Sequence, residues 1–433
     1  MARGPKNLRL SFASGTLTHF GGLVLLQRFV QQLELRTRLY TSVRFAQRNN
    51  RYSITEALLA LIYPIILGLG RVETAQLLRR NGVFQYLTGL PAYPDAQTLR
   101  RFLRRFAVEG QAGFLRCHDD LRRRMLDKPT ARRSVIFDLD STVLTVYGRQ
   151  HGAEVGFNPH KRGRPSYLPL LCVEGHTRDC WEGSYPPGNT AVTTVTLPVM
   201  ERALRKLPAG TRHVKIRADG AFYDGRLLDW FEAHKLTYAV VARLTKRLQA
   251  QVTTARYRAR RDDLALADFH YHPQGWTHAR RFIAVRRPVP EEPSWQLHLF
   301  HLGKFTYQVL VTNLDLTPVN LWRFYNSRAQ AELVIRELKQ AYALGKIPSR
   351  RWEVNEAYFH LVVFAYNLPN WFRRQCVPPE LQRWTLGTLR NQLLLIPGEL
   401  VRPQGVPTLK LPASFPLQRA FWDTLKRIDQ FRC

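Results

Sequence analysis

Two aspartates stand two residues apart in the stretch VIFDLDSTVL, at Asp138 and Asp140. The apolar run before them predicts a β-strand, in which successive side chains point to opposite faces. Both carboxylates should therefore lie on one face near the end of the strand. Such a pair suits a divalent metal ion, which prefers oxygen ligands, or covalent phosphoryl transfer. Both kinds of site remain open at this point.

A second set of reactive side chains lies far downstream, at Tyr325, Arg328, Glu332 and Lys339. These residues fall in one long helix predicted to begin at Thr317, and at about 100° per residue they lie within an arc of about 60°. The carboxylate could hold a metal ion, while the cations and the phenol could bind adjacent phosphates. A solvated face could carry the same residues, but the apolar sequence that follows favours a packed helix.

A metal-dependent phosphodiester site needs more carboxylates than Glu332 alone, because Mg²⁺ takes several oxygen ligands. The ends of predicted strands supply them. One is Asp138 or Asp140 after the first strand, and another is Asp219, which follows the strand-like run HVKIRA. The sequence thus predicts a site that is built from two strand ends and one helix.

The elements around these residues predict a mixed α/β domain. Residues 131–245 read as three strands, a helix, a strand, a helix and a strand, and residues 317–370 as helices. Between them, residues 246–316 form a basic, β-rich insertion. Residues 1–130 are predicted to be a helical DNA-binding region, and residues 371–433 a helical C-terminal tail.

The charge of the chain indicates a polyanionic partner. There are 65 Lys and Arg against 33 Asp and Glu, a formal net charge of +32. Nucleic acid is the leading candidate, and a merely basic or ribosome-associated protein is the alternative. The five cysteines form no metal or disulfide pattern, and no signal peptide or membrane span is evident, so we expect a cytoplasmic protein with no membrane partner.

Residues 73–106 could form a helix-turn-helix motif, in which the segment DAQTLRRFLRRF is the second helix. Its apolar residues recur at helical spacing, and arginines occupy the other faces. A solvated basic helix would show the same pattern, so both interpretations stay open. The arginines that would contact DNA are Arg100, Arg101, Arg104 and Arg105.

The spacing Y-x₂-R-x₃-E-x₆-K resembles the signature of a large group of bacterial insertion-sequence DDE transposases. Asp140 before Ser-Thr and Asp219 in IRADG also match the positions of that family's first two acids. A β-rich insertion that precedes VTNL and the signature helix is similar too. The resemblance covers residues 85–370.

This resemblance implies an RNase H-like fold, a mixed five-stranded sheet with helices on both faces, in which Asp140, Asp219 and Glu332 meet at one edge. It implies that these acids bind two Mg²⁺ ions, for which Mn²⁺ substitutes, and catalyse DNA cleavage and strand transfer. Arg328 and Lys339 would hold phosphates at the transposon end, with assistance from Tyr325.

Further DNA contacts follow from the same resemblance. The segment NPHKRGRPSYLPLL is similar to a family loop after the first strand, which makes Lys161, Arg162 and Arg164 candidates for DNA binding. A tryptophan of the insertion, Trp276 or Trp295, would stack on a flipped base. The implied partners are double-stranded DNA, as terminal inverted repeats and target, and a second copy of the chain, in a nucleoid-associated bacterial protein.

Two alternatives remain. The motif VIFDLDSTVL also fits a haloacid-dehalogenase-type phosphatase with Asp138 as nucleophile and Asp140 as acid/base. That interpretation leaves the positive charge, the signature helix and the long preceding helical region unexplained. The other alternative is a transposase derivative that binds DNA without catalysis, although the three acids and the signature residues are intact.

Overall fold

The apolar runs of the sequence form the strands and helices described by a computed structural model. It describes residues 15–47, 51–126, 134–159, 161–261, 263–289, 300–302 and 304–432. The α-helices of these residues are α1 (Leu23–Gln32), α2 (Leu35–Ser42), α3 (Ile54–Ile66), α4 (Gly82–Thr88), α5 (Ala96–Arg105), α6 (Gln111–Leu126), α7 (Val192–Arg205), α8 (Gly225–Ala233), α9 (Lys246–Thr254), α10 (Pro318–Asn326), α11 (Ala329–Ala341), α12 (Trp352–Cys376), α13 (Leu386–Leu389) and α14 (Gln418–Gln430).

The strands of the same residues range from two-residue bridging segments to nine-residue strands of the main sheet. They are β1 (Leu17–Thr18), β2 (Ser134–Ser141), β3 (Leu144–Thr145), β4 (Glu154–Val155), β5 (Pro165–Tyr167), β6 (Leu170–Glu174), β7 (Cys180–Ser184), β8 (His213–Ala218), β9 (Thr237–Val241), β10 (Arg258–Arg261), β11 (Leu264–Tyr271), β12 (Arg280–Pro288), β13 (Phe300–Leu302), β14 (Phe305–Thr312), β15 (Gly398–Val401) and β16 (Thr408–Lys410).

The chain forms two compact units. One comprises Met1–Met125, Glu337–Ser349 and Glu353–Cys433, and the other comprises Leu126–Arg336 and Arg350–Trp352. We call the second one the sheet unit. The boundaries predicted from the sequence, at residues 130, 245, 317 and 370, separate regions of different expected function and not compact units. As functional boundaries they stay a prediction.

The sheet unit contains the predicted mixed five-stranded sheet, in the order β7-β6-β2-β8-β9. β2 pairs antiparallel with β6 and parallel with β8, which pairs parallel with β9. This arrangement confirms the fold class. The strands of the predicted insertion extend this sheet, since β14 pairs with β9 and the order continues through β12 and β11 to β10. Together with β13, which pairs with β14, these strands form one ten-stranded sheet.

Helices cover both faces of this sheet. Because side chains alternate between the faces along each strand, every strand contributes residues to both of the layers that pack against these helices. On one face, Phe137 of β2 shares a core cluster with Val199 of α7 and Leu228 of α8. On the other face, Ala239 of β9 and Leu321 of α10 share a second cluster. Polar side chains that alternate with Phe137 along β2 therefore lie on the face of α10.

The other unit is organised around α12, which is buried on nearly all sides. A helix that is buried on nearly all sides must pack against several other elements. Phe364 of α12 contacts Phe114 of α6, with ring centroids 5.2 Å apart, and Phe372 contacts Phe29 of α1 at 5.7 Å. Among the described residues, no helix is both long and apolar enough to cross a lipid bilayer.

The candidate helix-turn-helix differs from its prediction. The first predicted helix is a 3₁₀ segment, Thr74–Arg80, and α4 lies between it and α5. Asn81 caps α4 by accepting a hydrogen bond from the backbone N–H of Phe84, which the sequence analysis did not anticipate. The segment predicted to contain two helices thus contains three elements, which are the 3₁₀ segment, α4 and α5. Its function as a DNA-binding motif stays a prediction.

Two ion pairs of Glu182 link the outer strand β7 to α7, one with Arg202 of this helix and one with its C-cap residue, Lys206. Glu182 is buried and contacts Lys206 at 2.5 Å. Burial alone would raise the pKa of Glu182, but Lys206 and Arg202 outweigh it and hold that pKa below its ordinary value of 4.5. A carboxyl with a lowered pKa stabilises the fold above its ordinary pKa, and this contribution is lost as the pH falls through the lower, folded-state value.

Glu182→Gln should therefore lower the free energy of unfolding by about 2 kcal/mol at pH 7. The gap from the wild type should narrow as the pH falls below about 4.5, because the carboxyl is protonated first in the unfolded chain and then, at its lower folded-state pKa, in the folded protein as well. Urea denaturation of both proteins across this pH range measures the gap. A gap that stays constant with pH would contradict the account.

Candidate active site

The ends of β2 and β8 bring two acids to one edge of the sheet. These strands are parallel neighbours with Leu139 opposite Ala218. Asp140 and Asp219, one residue further on each strand, therefore lie beside each other in the register. The carboxylate of Asp219 accepts a hydrogen bond from the backbone N–H of Ala221 at 2.9 Å, which caps a short 3₁₀ turn.

The signature residues come from two helices, and not from the one continuous helix that the sequence predicts. α10 ends at Asn326 and α11 begins at Ala329. Between them the chain makes a tight turn, in which the N–H of Arg328 bonds the carbonyl of Tyr325 at 2.9 Å. The common arc calculated for an unbroken helix thus does not apply, although Tyr325, Arg328 and Glu332 still line one cavity.

Arg328 connects the two parts of this site. Its guanidinium lies 3.2 Å from the carboxylate of Asp140 and 3.1 Å from that of Glu332. It also donates a hydrogen bond to the carbonyl of Leu139 at 3.3 Å. The side chain of Arg328 is 5% exposed, whereas that of Glu332 is 60% exposed. The deep end of the site is thus Asp140 with Arg328, and Glu332 faces solvent.

The electrostatics of this group follow from burial and like charge. Burial raises the pKa of Asp140 to about 7, with Asp219 and Glu332 acting in the same direction and Arg328 opposing them. Burial would lower the pKa of Arg328, but the neighbouring acids outweigh it and raise that pKa above its ordinary value. Burial also raises the pKa of Tyr325 to about 12, so the phenol stays protonated at neutral pH.

A cavity of about 420 Å³ opens beside these side chains. Asp219, Tyr325, Arg328 and Glu332 line it. Other residues that line the cavity were not predicted from the sequence, among them Val285, Arg287, Thr306, Gln308 and Trp322. Most of these come from strands of the predicted insertion, and only the long-range pairing of β14 with β9 brings them to the cavity. The guanidinium of Arg287 lies 4.7 Å from the ring of Trp322.

Asp138 lies on the same face as Asp140 but has a different environment. It is fully buried and accepts hydrogen bonds from Arg217 at 2.5 and 2.7 Å. Burial raises the pKa of Asp138 to about 6, and Arg217 opposes the rise. Because both carboxylate oxygens are bonded to a guanidinium, Asp138 is not presented as a nucleophile. The phosphatase interpretation is therefore not favoured.

The predicted DNA contacts of the sheet unit have different surroundings. Lys161, Arg162 and Arg164 are exposed, with Arg164 lying 5.9 Å from the ring of Tyr147. Trp276 is half-buried, packs against Tyr223 and lies under the guanidinium of Arg280. Its stacking on a flipped base stays a prediction and would require these contacts to open. Trp295 lies outside the described residues.

The remaining predicted contacts lie in the other unit. Arg101 and Arg104 of α5 are exposed. Arg100 forms an ion pair with Glu73, and Arg105 forms one with Glu109 at 3.2 Å. Lys339 lies in the last turn of α11 and is exposed. Binding of DNA by these residues stays a prediction.

A separate group in the sheet unit could hold a metal ion. Ligand atoms of Asp229, Glu232 and His278 lie within 4.8 Å of one another. Arg280 already bonds both carboxylates of this group, at 2.5 Å to Asp229 and 2.8 Å to Glu232. A cation that is buried and hydrogen-bonded here disfavours a second one, so the group is an ion-pair network of the fold.

Comparison with known proteins identifies the family to which the chain belongs. The sequence model of a family described as "Transposase DDE domain group 1" matches residues 2–433. A similar solved structure is piggyBac transposase in a cryo-EM synaptic complex with hairpin DNA. It has a TM-score of 0.46 and 13% identity, over 95% of this chain and 85% of that chain. No curated protein matches the sequence.

The two aspartates of β2 should differ in their effect on stability. Asp138→Asn leaves Arg217 buried without its charged partner, which should lower the free energy of unfolding by about 3 kcal/mol. Asp140→Asn should change it by less than about 1 kcal/mol, because the lost attraction to Arg328 is offset by lost repulsion and easier burial. Urea denaturation at pH 7 compares the variants. A larger loss for Asp140→Asn would mean that their roles are exchanged.

Proposed function

We propose, from the premise that the chain belongs to the transposase DDE domain group 1 family, that Asp140, Asp219 and Glu332 are its catalytic acids. The chain is a DDE transposase, an enzyme of metal-dependent DNA cleavage and strand transfer. Which of its residues carry out this chemistry is our proposal. The substrate that we propose is double-stranded DNA that contains the ends of the element.

One observation carries the assignment of the acids. A single buried guanidinium, that of Arg328, contacts both Asp140 and Glu332, which are far apart in sequence. Asp219 follows the neighbouring parallel strand and lines the same cavity as Glu332. The pairing of Asp138 with Arg217 supports the choice of Asp140 over Asp138.

The chemistry of these side chains fits a hard divalent cation. The group offers carboxylate oxygens, which are the ligands that Mg²⁺ prefers. The raised pKa of Asp140 reflects burial next to two like charges, which a bound cation would relieve. The family uses divalent metal ions. We propose that Asp140, Asp219 and Glu332 hold two Mg²⁺ ions, for which Mn²⁺ substitutes.

When bound, the ions would supply Lewis-acid activation of the attacking hydroxyl and charge for the leaving oxygen. The side chains of the chain have separate roles. Arg328 stays protonated and offers donors to a phosphate beside Asp140. The phenol of Tyr325 stays protonated at neutral pH and can donate a hydrogen bond to a phosphate oxygen. Lys339 would bind a further phosphate of the transposon end.

Binding of the DNA duplex requires a wider basic surface, because phosphate contacts supply most of the affinity. The exposed side chains of Lys161, Arg162 and Arg164 lie in the sheet unit, as do the acids. We propose that they contact the duplex backbone, and that Arg100, Arg101, Arg104 and Arg105 bind DNA through the other unit. The net charge of +32 supports a large phosphate-binding surface.

We further propose that the active assembly is a homodimer. A transposon has two ends, and one copy of the chain contains one set of the proposed acids. Two copies would place each end in its own site, which requires two chains of 50.3 kDa for each pair of ends. Terminal inverted repeats would bind alike to two identical chains, since the symmetry of the repeats matches that of the protein.

Glu332→Gln should abolish cleavage of end-containing DNA in Mg²⁺ and in Mn²⁺, with a loss of activity of at least about a hundredfold. Loss of a residue that only supports a metal ligand can already lower activity by up to about a hundredfold, and Glu332 is proposed to be a ligand itself. DNA affinity should be preserved, since the change removes no positively charged side chain that could contact a phosphate. A gel assay of nicked product and a binding isotherm measure the two effects. The matched control is Glu201→Gln, an exposed carboxylate of α7. An active Glu332→Gln would remove Glu332 from the assignment.

Replacement of Lys161, Arg162 and Arg164 by Gln should weaken binding to end and non-end duplexes alike. The slope of log affinity against log salt should become shallower by about 0.9 for each phosphate that the variant no longer neutralises. Filter binding or anisotropy at several salt concentrations measures this slope. A weakening confined to end DNA, with no change in slope, would mean that the loop reads bases.

A further inference from the structure

The two strand-end motifs, DLD and RAD, have the same internal spacing. Asp138 precedes Asp140 by two residues, and Arg217 precedes Asp219 by two. Asp138 and Arg217 are directly opposite each other in the parallel register of β2 and β8. Because side chains two residues apart share a face of the sheet, this pair lies on the face of the proposed acids, one step deeper along each strand.

The contacts of the pair extend beyond the two strands. Nε and one terminal nitrogen of Arg217 donate to the two oxygens of Asp138 at 2.5 and 2.7 Å, in a bidentate arrangement. The other terminal nitrogen donates to the carbonyl of Phe324 in α10 at 2.9 Å. The guanidinium also lies 5.2 Å from the Phe324 ring. Phe324 immediately precedes Tyr325, so Arg217 fixes both strands and the helix of the site.

Gly175 has no side chain at the point where the Asp138–Arg217 pair packs against it. A Cβ on Gly175 would lie 2.6 Å from a terminal nitrogen of Arg217 and 3.2 Å from the carboxylate of Asp138. Gly175 follows β6, and its N–H bonds the carbonyl of Ile136 at 2.8 Å. A residue with any side chain would displace the guanidinium. Gly175 therefore offers a way to disturb the geometry of the pair without removing a charge.

We propose that Asp138, Arg217 and Gly175 form a positioning device, which sets the separation of Asp140, Asp219 and the α10–α11 turn that carries Arg328. The inference rests on the proposed function of the acids. The pair is 0% and 2% exposed, and apolar side chains of similar size would join the strands at least as stably. What a bidentate ion pair adds is a defined geometry, because its two parallel hydrogen bonds fix both the distance and the angle between the guanidinium and the carboxylate.

The experiment uses the full chain and two readouts. Electron paramagnetic resonance titration with Mn²⁺ alone measures how much of the ion the protein binds. The Mn²⁺ that the wild type binds and Glu332→Gln does not is assigned to the acid site. Single-turnover cleavage of a duplex that carries one end of the element measures the chemical step. Arg217→Lys, Asp138→Asn and Gly175→Ala should each weaken Mn²⁺ binding and slow cleavage by about tenfold, as expected for supports of metal ligands. Their affinity for the duplex should be unchanged.

Glu182→Gln is the matched control, because it also neutralises a buried, ion-paired carboxylate of the same sheet, away from the acids. It should lower the melting temperature but leave Mn²⁺ affinity and single-turnover rate as in the wild type. If one of the positioning variants fails to fold, the other two carry the test. Folded positioning variants that behave like Glu182→Gln, with lower stability alone, would overturn the inference.

The result for Glu332→Gln separates this inference from its premise. If Glu332→Gln retains Mn²⁺ binding and cleavage, the assignment of the acids fails, and the positioning role fails with it. If Glu332→Gln loses both while the three positioning variants match the control, the acids stand and the positioning role alone is wrong.

Discussion

The buried guanidinium of Arg328 holds the proposed site together. It contacts the carboxylates of Asp140 and Glu332, and Asp219 lies beside Asp140 in the strand register. Three acids at one sheet edge repel one another, and burial raises the cost for Asp140 further. One arginine opposes that repulsion from the turn between α10 and α11. The break between α10 and α11 places this cation at the strand ends.

The sheet topology supplies the rest of the site. Parallel pairing of β2 with β8 places two acids side by side, and pairing of β9 with β14 attaches a further set of strands. Those strands line the cavity with Arg287 and Gln308, next to Tyr325 and Glu332. The β-rich segment is thus part of the wall of the site as well as an extension of its sheet. In this DDE transposase, the proposed acids and the added strands therefore belong to one structural unit.

The sequence predicted the parts of the site that depend on local patterns. Apolar runs that end in Asp140 and Asp219 read as strands, and the spacing of Tyr325, Arg328 and Glu332 identified the family. The helix break was not predicted, because helical periodicity continues through residues 326–329. Arg217 was missed because an arginine reads as a surface residue until its buried partner is known. The repeated two-residue spacing of DLD and RAD could have indicated it.

We propose that Asp140, Asp219 and Glu332 together bind the catalytic cations. Anomalous diffraction from crystals of the chain soaked in Mn²⁺ tests it most directly. We expect anomalous density among these three carboxylates, with Arg328 shifted away from at least one of them. Density confined to Asp229, Glu232 and His278, with the contacts of Arg328 unchanged, would contradict it.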